Sequence, residues 1–191
     1  MLPPDRHRPS GMSRAGIGNI YLAGLIGSGK SSLGPLLAER MGRRFIDLDD
    51  AICAEAGRSL HDLVAAEGWL GFRMREYDLV KQCAGRGDLV LAFGGGTPRY
   101  AWNMDQLAGS GIIVLLTADL EVLAARASDK ERPRVNSNLT QAQDLARIWA
   151  EHKDSYLGAA DIVYPTDAGK SLDTEAEEIL AAIEAFAARQ R

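Results

Sequence analysis

Residues 24–31 of the chain read Gly-Leu-Ile-Gly-Ser-Gly-Lys-Ser, which fits the template of a glycine, four residues and then Gly-Lys-Ser/Thr. The apolar run before it, residues 19–23, predicts a short buried strand. Residues 32–41, which follow, carry apolar side chains at helical spacing. The order of strand, glycine-rich turn and helix is the context in which this template binds phosphate groups. We therefore predict a phosphate loop between a first strand and a first helix.

The loop also predicts which groups meet the phosphates. Successive backbone N–H groups turn toward phosphate oxygens, and the start of the following helix adds a positive dipole end. Lys30 is expected to reach the outer phosphates, and the Ser31 hydroxyl is expected to contact Mg²⁺. The other nucleotide-binding residues predicted in and after the loop are Gly27, Ser28, Gly29 and Ser32.

The composition limits the class of protein. The chain has 191 residues, of which 46% are hydrophobic and 25% charged, as expected for one globular domain with a sizeable core. A net charge of −4 without a Lys/Arg run argues against a nucleic-acid or membrane surface. Small anionic ligands bound in a pocket fit this charge pattern better.

The cysteines and histidines predict a reducing compartment and no zinc site. Two cysteines, Cys53 and Cys83, without paired spacing or a signal sequence indicate a cytoplasmic protein with two buried thiols and no disulfide. The three histidines lie far apart and share no zinc-binding spacing with the cysteines. Mg²⁺ held mainly by nucleotide phosphates is the metal that fits.

The pattern along the chain predicts an α/β fold. Residues 1–16 hold three prolines, three arginines and no apolar stretch, so we expect a disordered tail before a single domain over residues 17–191. Further strands are predicted over residues 43–48, 88–93, 111–116 and 161–164, with helices between them and a closing helix over 171–189. Alternating strands and helices imply a parallel sheet covered on both faces.

Three segments between these elements are expected to face ligands. The second strand is followed by the carboxylates of Asp47, Asp49 and Asp50, at the strand end that faces the crevice of a parallel sheet. A helical insert is predicted over about residues 49–84, with Ser59 as N-cap and a break around residues 68–71. The polar residues 128–139 predict a mobile lid.

Beyond these patterns, blocks of the chain resemble the shikimate kinase family from about residue 19 to residue 189. They are the phosphate loop, Arg-Phe-Ile-Asp-Leu-Asp at 44–49, Glu-Gly-Trp-Leu-Gly-Phe-Arg-Met-Arg-Glu at 67–76, Ala-Phe-Gly-Gly-Gly at 92–96 and Glu-Arg-Pro at 131–133. The resemblance implies transfer of the γ-phosphate of ATP to the 3-hydroxyl of shikimate, on the way to aromatic amino acids. It also implies a monomer with a three-layer P-loop NTPase fold and five parallel strands in the order 2-3-1-4-5.

The resemblance assigns roles to residues as well. It implies that Asp49 bonds the acceptor hydroxyl and that Asp47 supports Mg²⁺ together with Ser31. Arg73, held by Glu76, would clamp the substrate carboxylate. The remaining residues that it implies are Lys30 in catalysis, Arg132 over the phosphates as a catalytic residue, Arg126 near the nucleotide base, and the backbone of Gly95 and Gly96 at the substrate.

One departure from the family pattern concerns the substrate. The family usually carries an arginine four residues before a tyrosine, as a second clamp on the carboxylate; here Tyr156 is present and the earlier position is His152. His152 is therefore predicted to contact the substrate, while Arg99 or Arg134 are alternatives for the second cation. A kinase of another hydroxy acid such as gluconate, a nucleotide kinase, and a nucleotide-binding regulator without turnover stay open.

Overall fold

The computed structural model describes residues 17–128 and 138–190. Within them the strands and helices alternate along most of the chain. The strands are β1 (Asn19–Ala23), β2 (Arg44–Asp47), β3 (Leu89–Ala92), β4 (Gly111–Thr117) and β5 (Ile162–Pro165). The helices are α1 (Lys30–Met41), α2 (Leu48–Ala56), α3 (Leu60–Ala84), α4 (Ala101–Leu107), α5 (Leu120–Ala127), α6 (Gln141–Ala159) and α7 (Leu172–Arg189).

The strands form one parallel sheet in the order β2-β3-β1-β4-β5. β1 lies at the centre, where Tyr21 pairs with Leu91 of β3 on one side and with Ile113 of β4 on the other. The edge strands β2 and β5 pair with β3 and β4, also in parallel. The predicted α/β fold and the predicted strand order are confirmed.

Two apolar cores lie on the two faces of this sheet, because successive strand residues point to opposite sides. Tyr21 and Leu91 belong to the core that α3, α5 and α6 cover. Ile20 and Leu22 belong to the core beneath α1 and α7. The central strands are buried on both faces, which explains their continuous apolar sequence.

The helix starts follow the capping residues that the sequence offers. Ser59, Thr140 and Ser171 each accept a hydrogen bond from a backbone N–H in the first turn of their helix, and Thr140 forms a full capping box with Gln143. The predicted break in the long helix is the non-helical Gly68, with φ 69° and ψ 174°. The short helix α2, which the periodicity left undefined, begins where Asp47 caps it.

The predicted domain bounds lie partly outside the described residues. The tail over residues 1–16 and most of the lid over residues 128–139 are among the residues that the structure does not describe, so these two assignments stay predictions. The predicted insert over about residues 49–84 corresponds to α2 and α3. In the described part of the chain, no helix is long and apolar enough to cross a membrane.

Both cysteines are free thiols, as predicted. Cys83 is buried in the core beneath α3, and burial raises the pKa of its thiol to about 11. Cys53 on α2 is half-buried.

The contact between β2 and α1 predicts a stability effect at Gly34. A Cβ on Gly34 would overlap three atoms of the Phe45 ring, each less than 3.0 Å away, so Gly34→Ala forces the ring to move. We expect a loss of about 1–3 kcal/mol in the free energy of unfolding, as for other overpacked cores. Thermal and denaturant unfolding measure this loss, and Gly34→Ala combined with Phe45→Leu should recover part of it.

The matched control for this change is Gly158→Ala. Gly158 is exposed on α6 and no atom lies within 4 Å of the place that a Cβ would take, so alanine should keep or slightly raise stability there. Equal stability of Gly34→Ala and the wild type would contradict the close packing between α1 and β2.

Candidate active site

Three segments that carry predicted site residues meet at one edge of the sheet. The strands β2, β3 and β1 are parallel neighbours, and both Asp47 and Leu22 lie opposite Ala92 in the register. The phosphate loop therefore leaves β1 beside the start of α2 and beside residues 94–96, which follow β3. The carboxyl edge of an open parallel sheet is where such folds bind ligands.

The phosphate loop has the backbone that its glycines predict. Gly27 has φ 83° and Gly29 has φ 93°, both in the left-handed region that favours glycine. Gly29 is also the N-cap of α1, so the loop leads directly into a helix N-terminus. The Lys30 ammonium donates to the carbonyl oxygens of Gly24 at 2.8 Å and Leu25 at 2.9 Å, which holds it against its own loop.

Ser31 and Asp47 lie side by side next to this loop. The Ser31 hydroxyl donates to Oδ2 of Asp47 at 2.8 Å, while Oδ1 of Asp47 accepts from the backbone N–H groups of Asp49 and Asp50. A hydroxyl and a carboxylate are the hard oxygen donors that Mg²⁺ prefers. Among the described residues there is no group of three or more His, Cys, Asp or Glu side chains that could hold a metal. Ser31 and Asp47 thus offer a metal one hydroxyl and one carboxylate.

An outer pocket opens on one side of the phosphate loop, next to Gly27, Gly29 and Ser32. Arg126 of α5 lines it and donates from its two terminal nitrogens to Oγ1 of Thr166 at 3.2 Å and to the Thr166 carbonyl at 2.7 Å. These bonds fix α5 to the segment after β5.

An inner pocket opens on the other side of the loop, with about 700 Å³ of empty space that includes open solvent. Trp69, Phe72 and Ile148 form part of its apolar wall. Its charged side chains are Asp49, Arg73, Arg99 and Asp144. A separate cleft lies at the phosphate loop itself, where Lys30, Ser31 and Asp47 line it. It shares Ile26, Asp49 and Gly95 with the inner pocket. Asp49 therefore lies at the junction between the phosphate loop and the inner pocket.

Arg73 is held in the inner pocket by a buried carboxylate. Its Nη1 donates to Oε1 of the fully buried Glu76 at 2.6 Å. Thr97 Oγ1 donates to the same oxygen at 2.7 Å, and Asn103 Nδ2 donates to Oε2 at 3.0 Å. The guanidinium carbon also lies 5.0 to 5.5 Å from the centres of three rings, those of Trp69, Phe72 and Tyr100. Ion pair and rings together fix the direction of the guanidinium.

The residues after β3 are held against Asp49 from two sides. A Cβ on Gly94 would overlap Oδ1 of Asp49, so only glycine leaves this carboxylate in place. The Tyr156 hydroxyl donates to the Gly95 carbonyl, and burial raises the pKa of Tyr156 to about 12, which keeps that donor protonated. The three glycines are thus fixed between α2 and α6.

The structure brings together most of the residues that the sequence predicted. Asp49, Arg73, Gly95 and Gly96 line the inner pocket, and Arg126 lines the outer one. The cleft at the loop is lined by Gly27, Gly29, Lys30, Ser31, Ser32 and Asp47. The buried Ser28 lies within the loop itself, where its N–H donates to the Leu25 carbonyl.

Two predicted residues are not brought into these pockets. His152 is half-buried on α6 and is not among the residues that line the inner pocket. Arg132 lies outside the described residues, as does Arg134. Their predicted contacts with substrate and phosphates stay predictions.

Other residues of the site were not assigned from the sequence. Arg99, considered only as an alternative cation, lines the inner pocket, and so does Asp144 of the first turn of α6. Thr97 and Asn103 complete the bonds to Glu76. The one available signal was the position of Arg99, three residues after the last of the three glycines.

Comparison with known proteins agrees with this geometry. A family model described as shikimate kinase matches residues 26–184. A shikimate kinase of Symbiobacterium thermophilum is 38% identical over 83% of this chain and 92% of its own length. The structure of a shikimate kinase from Acinetobacter baumannii in complex with shikimate superposes with a TM-score of 0.83, at 34% identity, over 88% of this chain and 94% of that one.

The gluconate alternative receives less support. A gluconokinase from Sinorhizobium meliloti covers 93% of this chain and 97% of its own, but with 20% identity and a TM-score of 0.56 it shares the fold alone. The family model, the curated relative and the solved structure all agree over most of the chain, and the site provides a phosphate loop beside a pocket lined by Arg73. The chain belongs to the shikimate kinase family and is an ATP-dependent small-molecule kinase.

Proposed function

We propose that the inner pocket binds shikimate, that the phosphate loop binds the phosphates of ATP, and that the outer pocket takes the adenine. The protein then transfers the γ-phosphate to the 3-hydroxyl of shikimate. One observation carries this assignment: Asp49 and Gly95 line both the inner pocket and the cleft at the phosphate loop. An acid seated against Arg73 would thus present a hydroxyl to a phosphate at the loop.

Asp49 is the acceptor-side catalytic residue in this proposal. Asp49 is 6% exposed, and its carboxylate lies against Gly94. It accepts a hydrogen bond from the attacking hydroxyl and takes its proton as the new O–P bond forms and the bond from the γ-phosphorus to the ADP oxygen breaks. Phosphoryl transfer asks the protein mainly for positioning and for neutralisation of charge. Backbone N–H groups of Gly95 and Gly96 complete the contacts on this side.

Lys30, Ser31 and Asp47 act on the nucleotide side. The Lys30 ammonium leaves the carbonyl oxygens of Gly24 and Leu25 and moves to the β- and γ-phosphates. Ser31 and Asp47 would hold Mg²⁺ together with phosphate oxygens. The bound metal would offset the negative charge of the triphosphate.

Arg73 binds the substrate carboxylate. Its Nη1 is committed to Glu76, so the other edge of the guanidinium is available for the acid. The apolar wall around Trp69 and Phe72 excludes water, which strengthens charge-assisted bonds. We further propose that the protein acts as a monomer, as the family resemblance implies.

A coupled assay of ADP release tests this function and the role of Asp49. Wild-type protein with ATP and Mg²⁺ should turn over shikimate in preference to gluconate and quinate. Asp49→Asn should lower kcat by about 10²- to 10⁴-fold, because general base catalysis contributes on this order. ATP binding without turnover of shikimate would contradict the proposed function, and full activity of Asp49→Asn would contradict the catalytic role.

Asp47→Asn separates the metal-binding role of this side chain from its role as a helix cap. Asparagine is an equally good N-cap and keeps a polar group beside Ser31, but it removes the negative charge. We expect the Mg²⁺ concentration for half-maximal rate to rise about tenfold, on the scale of a lost charge-assisted contact, while the melting temperature hardly changes. Kinase rates over a Mg²⁺ titration measure this shift.

Asp47→Ala is the matched comparison, because it removes both the charge and the cap. This variant should melt earlier, by the stability of one cap, about 1 kcal/mol. An unchanged metal requirement in both variants would mean that Asp47 acts only as a cap.

Gly94→Ala tests the position of the Asp49 carboxylate. The added Cβ would overlap Oδ1 of Asp49, which displaces the carboxylate by about 1 Å. A misplacement of this size lowers kcat by about a hundredfold in other enzymes. Steady-state kinetics measure the loss, with Gly158→Ala as the control at an exposed glycine. Normal kcat in Gly94→Ala would contradict the catalytic position of Asp49.

A further inference from the structure

Two arginines converge on one glycine in the inner pocket. A Cβ on Gly96 would lie 2.6 Å from Nη2 of Arg73 and 2.5 Å from Nη2 of Arg99. The two terminal nitrogens are therefore no more than about 5 Å apart. Both side chains line the inner pocket, and neither lines the cleft at the phosphate loop.

The two guanidinium groups are not equally neutralised. Arg73 forms its ion pair with Glu76, but in the described part of the chain no carboxylate forms an ion pair with Arg99. The Nε atoms of Arg73 and Arg99 are both buried without a hydrogen-bond partner among these residues. Arg99 thus places a second positive charge beside Arg73, with its Nε atom shielded from water.

Other charged groups around Arg99 do not remove this excess. Asp49 lies at the phosphate-loop end of the pocket, against Gly94, and Asp144 on α6 has an interaction of its own. The pKa of Glu151 is lowered mainly by the hydrogen bond that Arg147 donates to it, and the charge of Arg99 adds a smaller effect. Arg99 also lies 5.9 Å from the centre of the Tyr100 ring, which supports the guanidinium from one side.

An anion between the two arginines would relieve their repulsion. A charge-assisted N–H···O bond is about 2.7–2.9 Å long, so one carboxylate between nitrogens about 5 Å apart can accept from both. We propose that Arg99 is the second binding residue for the substrate carboxylate, opposite Arg73 across Gly96. The inference deepens the proposed function, on which it rests, and assigns to Arg99 the role that the family resemblance predicted for His152.

The test compares two substrates that differ in charge. Shikimate and its methyl ester share the ring and the hydroxyls, but the ester has no carboxylate. Arg99→Ala should raise the KM for shikimate about ten- to a hundredfold and leave the KM for the ester, the KM for ATP and the kcat within about twofold. Arg99→Lys should lie between, because it keeps the charge and loses the planar fork.

Arg189→Ala is the control arginine, since Arg189 lies in the last turn of α7 and lines neither pocket. It should leave all these constants unchanged. An equal rise in KM for acid and ester in Arg99→Ala would indicate a general distortion of the pocket and would overturn the proposal. An increase caused by His152→Ala and absent in Arg99→Ala would overturn it too, and would place the second contact on α6.

Failure of the proposed function is recognised separately. The wild type is assayed first, and absence of shikimate turnover would contradict the proposed function alone. Calorimetric titration of wild type and Arg99→Ala with shikimate, quinate and gluconate then decides on Arg99. Weaker binding of an acid by the variant supports the assignment, and equal binding of each acid, or none to either protein, overturns it.

Discussion

Burial of the Glu76 carboxylate is the constraint on which the inner pocket depends. A fully buried charge is costly unless it is paired and hydrogen-bonded. The buried Glu76 carboxylate accepts hydrogen bonds from Arg73 of its own helix, from Thr97 in the turn after β3 and from Asn103 of α4. These donors come from three segments of the chain. Satisfying one carboxylate thus joins the helical insert to the end of the sheet and fixes Arg73 in the wall of the inner pocket.

At Asp47, too, one side chain serves both folding and function. One carboxylate oxygen caps α2 and the other accepts the Ser31 hydroxyl. The cap sets the start of α2, and through it the position of Asp49 two residues later. The position of the Asp49 carboxylate is therefore coupled to the hydrogen bond between Ser31 and Asp47.

Glycines at the end of β3 allow these charged groups to approach the backbone. A Cβ on Gly94 would fall on Asp49, and a Cβ on Gly96 would fall on the two arginines. A side chain at either position would push the carboxylate or the guanidinium groups away from the backbone after β3. Glycine is therefore needed at these positions for space around the Asp49 carboxylate and the two guanidinium groups more than for its backbone dihedral angles, since neither Gly94 nor Gly96 has a positive φ.

The sequence by itself determined the strand order through its family resemblance, the phosphate loop through local spacing, and the cap Ser59 through residue type; the loop and the cap are local signals. It also predicted Asp49, Arg73, Gly95 and Gly96, which the structure brings together in one pocket. Only the tertiary structure showed that Arg99 lines the inner pocket, whereas His152 is not among its lining residues. Their directions depend on a one-turn 3₁₀ helix over Thr97–Arg99 and on how α6 packs, and such packing between distant segments leaves no periodic trace in a sequence.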